Sequence, residues 1–149
     1  MELVDDGDPV RALGFIAVYS AYAEQKIDEL IEYFSKIDSG QPPKLINSQA
    51  TEKIKYLKKF GSSLEWPNNE GNEFAILMDA AKASMDERGE YLHNRYIAIQ
   101  NGKILMKPGR PNRPEQEITS AELYEFANHL FILQSNLNRS RFWLSRVSK

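Results

Sequence analysis

A chain of 149 residues, 42% apolar and 27% charged, is long enough to bury the core of one domain over residues 1–149, and it is too apolar for global disorder. The lack of cysteine excludes disulfides, zinc fingers, iron–sulfur clusters and thiolate nucleophiles, and a formal net charge of −2 gives no overall attraction for nucleic acid. No run approaches the roughly 18 apolar residues of a membrane span, and the acidic start MELVDDGDPVRALGF is unlike a signal peptide, so a cytoplasmic protein without a membrane partner is expected.

Asp8 before Pro9 predicts a helix start, because aspartate accepts from first-turn amides and proline suits the first helical position. The helix should run to about Ile37 with Leu13, Ile16, Tyr19, Ala23, Ile27, Leu30, Ile31 and Phe34 at the threes and fours of one buried face, and DSGQPP should end it. Glu24 borders that stripe, either as a boundary residue or as a carboxylate placed to orient an arginine. A second helix is predicted from Ser48 to Phe60, with Ile54 and Leu57 inward, its lysines on the other face and Gly61 as its stop. The turn-rich GSSLEWPNNEGN should be a loop pinned by Trp66.

A third helix is expected from Asn72, with Phe74, Leu77, Met78, Ala81 and Met85 inward, ending in the cluster DERGEYLHNRYI. Gly89 within it costs roughly 1 kcal/mol relative to alanine, which suggests a close backbone approach there. RYIAIQ and KILMK around Asn101-Gly102 predict a two-residue β-hairpin, and PGRPNRPEQE an exposed loop. Thr119 and Glu122 have the spacing of a capping box, opening a last helix with Leu123, Phe126, Ala127, Leu130, Leu133 and Leu137 inward, toward Phe142, Trp143 and Leu144. The fold class is therefore all-α: a four-helix up-and-down bundle with a small β-hairpin between the third and fourth helices.

Basic residues gather at Lys53, Lys55, Lys58 and Lys59, at Lys103, Lys107, Arg110 and Arg113, and at Arg139, Arg141, Arg146 and Lys149, which read as solvated faces. The chemistry concentrates in DERGEYLHNRYI. Arg88 offers a planar fork of donors for a phosphodiester, and His93 can exchange a proton near neutral pH without a metal or other cofactor. Asp86, Glu87, Glu90, Asn94 and Arg95 surround them, with Glu87, Asn94 and Arg95 as supporting residues. Positions five apart on a helix point about 140° from each other. Joint action therefore needs arginine's reach, a distorted helix end after Gly89, or a second subunit. Glu90-x-x-His93 also has the spacing of di-iron bundles, but the other histidine sits in Glu125-x-x-x-His129, the wrong spacing, and His129 reads as a core or boundary residue. No G-x-S-x-G, H-E-x-x-H or P-loop pattern occurs.

Arg88-x-x-x-x-His93, late in the third of four helices, with a long first helix carrying Glu24 and a capped final helix, resembles the HEPN superfamily (higher eukaryotes and prokaryotes nucleotide-binding domain). The resemblance covers most of the chain as architecture and few residues as sequence. It implies a metal-independent endoribonuclease working as a homodimer that unites two motifs in a basic cleft, in a toxin or phage-defence setting, often with a neutralising partner protein. By that resemblance His93 would assist deprotonation of a ribose 2′-hydroxyl, and Arg88 would stabilise the phosphate's charge on the way to a 2′,3′-cyclic phosphate. Gly89 departs from the family pattern, which commonly has a polar residue after the arginine. The rival expectation is a non-catalytic helical module that binds a partner protein or RNA.

Overall fold

Asp8 opens the first helix as its sequence dictates: its Oδ1 accepts from the amides of Val10 at 3.0 Å and Arg11 at 3.3 Å. In the computed structural model this helix, α1, spans Pro9–Ile37, followed by α2 (Ala50–Gly61), α3 (Glu70–Leu92), β1 (Arg95–Gln100), β2 (Lys103–Lys107), β3 (Gln116–Thr119) and α4 (Ser120–Leu144). The structure describes residues 2–37, 45, 47–100, 103–107 and 114–147, and for 95–100 the backbone alone. The predicted DSGQPP stop, the Asn101-Gly102 turn, Arg110, Arg113 and Lys149 lie outside the described residues.

The four helices form the expected up-and-down bundle. Ile16, Ala23, Ile27, Leu30, Ile31 and Phe34 of α1 are buried against Ile54 and Leu57 of α2, Phe74, Met78 and Ala81 of α3, and Leu123, Ala127 and Leu130 of α4 in one continuous core. Leu13 and Tyr19 lie at its margin, and Ala12 and Ser20 take the inner positions. The α2 lysines do not all face outward. Lys53 is buried, and its ammonium reaches Asp28 of α1 at 2.5 Å, so its carbon stem covers core while its charge is paired.

Gly61 does not act as a helix stop. It is the last helical residue of α2, and Ser62 caps the helix in ordinary right-handed geometry with φ −68°. Its missing side chain matters for packing instead, because a Cβ there would lie 2.9 Å from Cε1 of buried Phe74. Trp66 pins the next loop as expected. Its indole donates to the Gly61 carbonyl at 2.7 Å, and its ring stacks on Phe74 with centroids 5.0 Å apart.

The hairpin is part of a larger sheet. β1 pairs antiparallel with β2 from Arg95↔Lys107 to Gln100↔Lys103, and β2 pairs with β3 from Lys103↔Thr119 to Met106↔Gln116. The loop predicted over PGRPNRPEQE is thus corrected at its end, since Gln116 and Glu117 belong to an edge strand. Alternation places Ile104, Met106 and Ile118 on the inner face, where they join the core. Thr119 then caps α4: its Oγ1 accepts from the Glu122 amide at 3.1 Å, and the Glu122 carboxylate accepts from the Thr119 amide at 2.9 Å.

Both ends of the described residues are tied down. Asn128 exchanges two hydrogen bonds with the backbone of Leu3, at 2.7 and 3.2 Å, and the Tyr124 hydroxyl donates to Asp6 at 2.7 Å. That bond holds the Asp6 carboxyl below its usual range, while burial, followed by the same bond, pushes the Tyr124 phenol up to about 12. At the other end Arg146 pairs with the buried Glu70. Glu70 sits in the first turn of α3, where the helix dipole favours a carboxylate. Its Oε2 is nonetheless buried without a hydrogen-bond partner among the described residues.

Candidate active site at the end of the third helix

The helix carrying the cluster is regular through the cluster's first half, and the cluster then passes through a turn into β1. α3 remains α-helical to Leu92, and His93 forms its C-cap with φ −101° and ψ 0°, its amide donating to the Gly89 carbonyl at 3.1 Å. There is no distortion after Gly89. Nor is a close backbone approach present: a Cβ on Gly89 would meet Cδ2 of His93 at 3.8 Å, an ordinary contact.

Regular geometry sends neighbouring side chains to different partners. Arg88 turns toward α1, where its Nη1 lies 2.8 Å from Oε1 of Glu24. Both readings of Glu24 meet here: it is a half-exposed boundary residue, and its carboxylate pairs with an arginine. Tyr91 turns instead toward α4, its ring centroid 4.9 Å from that of Phe126. Burial raises the Tyr91 phenol's pKa, and the charges of Glu87, Glu122, Glu90 and Glu125 add to the rise. The α4 side of this helix end is therefore acidic, and the α1 side carries the arginine.

His93 is exposed beyond the last turn, and no hydrogen bond or ion pair joins it to Arg88. Asn94 joins the helix end to the sheet. Its amide donates to the Glu90 carbonyl and lies 3.0 Å from Sδ of Met106, fastening the turn from α3 into the sheet. Glu87 is exposed. Arg95 begins β1 opposite Lys107, and its side chain lies outside the described residues. His129, expected at the core or its boundary, is exposed on α4. Among the described residues no three His, Asp or Glu side chains are grouped as metal ligands would be, and no helix is long and apolar enough to cross a membrane.

The exposed lysines of α2 shape a second feature. Lys55, Lys58 and Lys59 line a groove of about 770 Å³ between α2 and α3, floored by Ile54 and Met78. Its signal in the sequence is the 55, 58, 59, 62 spacing, which puts three lysines and Ser62 on one helical face.

Compared with protein-family models, with curated proteins and with solved structures, the chain matches none.

Proposed function

We propose that the protein is a HEPN-like, metal-independent endoribonuclease that acts as a homodimer, with Arg88 and His93 as its catalytic residues. The observation that carries this reading is the Glu24–Arg88 ion pair: a guanidinium held in place between two helices, five positions before an exposed histidine at the helix end. Glu24 leaves Arg88 other N–H donors for a phosphate, because a guanidinium has five. In the reaction His93 accepts the proton of the ribose 2′-hydroxyl, and the 2′-oxygen attacks phosphorus. The bond to the 5′-oxygen breaks, and that oxygen takes a proton from water as it leaves, giving a 2′,3′-cyclic phosphate and a 5′-hydroxyl. Arg88 stabilises the charge that builds on the phosphoryl oxygens.

Within one chain the two groups point about 140° apart on a regular helix. The active unit is therefore composite, with Arg88 of one copy and His93 of the other converging on one phosphate. The setting this chemistry suits is a toxin or a phage-defence ribonuclease held in check by a partner protein.

The test is cleavage of RNA in excess chelator, with Arg88→Ala and His93→Ala each lowering the rate at least 100-fold. Mixing the two inactive variants restores activity, because a mixed dimer contains one site with both wild-type groups. Cleavage that survives either substitution would falsify the assignment.

A second reading, a non-catalytic module binding a partner protein or RNA, is favoured by apolar side chains on the outer surface of α1 and α4. Val18 is 46% exposed, Tyr22 48% and Ile132 54%, beside the ring pair Tyr19 and Phe131 at 5.2 Å. A stable complex with RNA or a protein, in the absence of any cleavage, would decide for it.

A further inference from the structure

The α2–α3 groove has no part in the Arg88 and His93 chemistry, yet it is a sizeable concavity of about 770 Å³. We infer that it is a track for single-stranded RNA, with one base held beside Trp66 and the backbone led past the α2 lysines toward Arg88. The inference rests on the ribonuclease reading for its substrate class and adds where the strand lies.

The groove has two joined parts. One wall comes from the α2 face that carries Lys55, Lys58, Lys59 and Ser62, the other from Met78, Asp79, Lys82 and Asp86 of α3. Lys58 and Ser62 also line a second cavity of about 410 Å³, bounded by Trp66 and Phe74, so the two spaces adjoin. Asp86, at the opposite end, brings the groove to the turn of α3 that carries Arg88, whose own side chain faces α1 on the other side of the helix. From Gly71, beside Trp66, to Arg88 the helix advances about 26 Å, within reach of the roughly 4–16 nucleotides that single-strand grooves accommodate.

Charge favours a phosphate backbone along the α2 wall. Lys55 and Lys59 are exposed and have no ion-pair partner among the described residues, against the single carboxylate of Glu52 on the same rim. Lys58 bonds Asp79 at 2.7 Å and Lys82 bonds Asp86 at 3.1 Å, but all four side chains are about half exposed or more. Exposed pairs of this kind contribute only about 0–1 kcal/mol, so a phosphate can draw those lysines from their carboxylates.

The Trp66 cavity has the chemistry of a base pocket. Its aromatic wall is rigid, since the indole N–H is held by the Gly61 carbonyl at 2.7 Å and the ring lies against Phe74. Gly71 is required there, because a Cβ would come within 2.8 Å of the Trp66 ring. Asn68, Asn69 and Asn72 surround the opening. Asn72 donates to Asn69 at 2.8 Å, and the remaining amide donors and acceptors of these side chains suit the mixed edge of a nucleobase.

The test uses full-length protein and a fluorescein-labelled 2′-O-methyl RNA of about 12 nucleotides, which cannot be cleaved for want of a 2′-hydroxyl. The double variant Lys55→Ala/Lys59→Ala should raise Kd about tenfold or more, and it should reduce the slope of log K against log salt by about 1.4, the loss of two single-strand phosphate contacts. In Trp143→Phe protein the remaining tryptophan is Trp66, and RNA should change its emission. An unchanged Kd and salt slope overturn the track. Unchanged emission at saturating RNA overturns the base pocket, and binding of poly-glutamate in place of RNA overturns the ligand class. Cleavage that depends on Arg88 but ignores the lysines leaves the ribonuclease reading standing without the track. RNA held by the groove without any cleavage does the reverse.

Discussion

Arg88 on α3 reaches across to Glu24 on α1, with 2.8 Å between Nη1 and Oε1, so the charged group of the motif is held by the longest helix of the bundle. The pair is partly solvated, with side chains 23% and 41% exposed, so it contributes little to stability. Glu24→Gln should therefore cost about 1 kcal/mol or less in urea unfolding, and under the proposed ribonuclease function it should lower RNA cleavage about tenfold or more. A loss of stability with cleavage unchanged would show that the pair is scaffold.

Gly89 occupies a regular helical position with room for a methyl group. Gly89→Ala should stabilise the protein by about 0.5–1 kcal/mol through helix propensity and lower chain entropy in the unfolded state. A urea midpoint that moves downward would show that the backbone there needs glycine's freedom after all.

Gly61 is the opposite case. The same substitution drives a Cβ to 2.9 Å from the ring of Phe74, which is fully buried and cannot give way. Gly61→Ala should destabilise by about 1–3 kcal/mol, the range for overpacking a core. The two alanine variants should thus shift the urea midpoint in opposite directions, although both sit in helices.

The Asp6–Tyr124 bond makes the N-terminal strap sensitive to pH at both extremes. Asp6 has a lowered pKa in the folded state, so its contribution is present above the ordinary value of 3.8 and is lost as pH falls through the folded value. Tyr124 has a raised one, so its contribution is present below the ordinary 10.0 and is lost as pH climbs toward about 12. Tyr124→Phe should flatten both limbs of a stability profile. A variant whose acid and alkaline limbs match wild type would show that the bond does not form in solution.

The helices were legible because each carries its own instructions. Asp8-Pro9 and Thr119-x-x-Glu122 are local capping signals, satisfied within one turn, and the threes and fours of Ile27, Leu30, Ile31 and Phe34 mark a buried face whatever it packs against. Strand β3 left no comparable mark, because four residues after a proline-rich run become a strand only when β2 offers an edge to pair with. Gly61 carried a misleading signal for the same reason. Its neighbour Phe74 is 13 positions away, and nothing in the local sequence announces a ring pressed against a helix end.

The sequence alone determined that Arg88 and His93 lie five positions apart near the end of one helix, and therefore that they point in different directions, since the helical period follows from the backbone's own hydrogen bonding. Only the tertiary structure decided where they point. Arg88 goes to Glu24, 64 positions earlier in the chain, and His93 to solvent. It also set Lys53 apart from the exposed lysines of α2, pairing it with Asp28 while the others line a groove, because a helix acquires distinct sides only when its neighbours are in place.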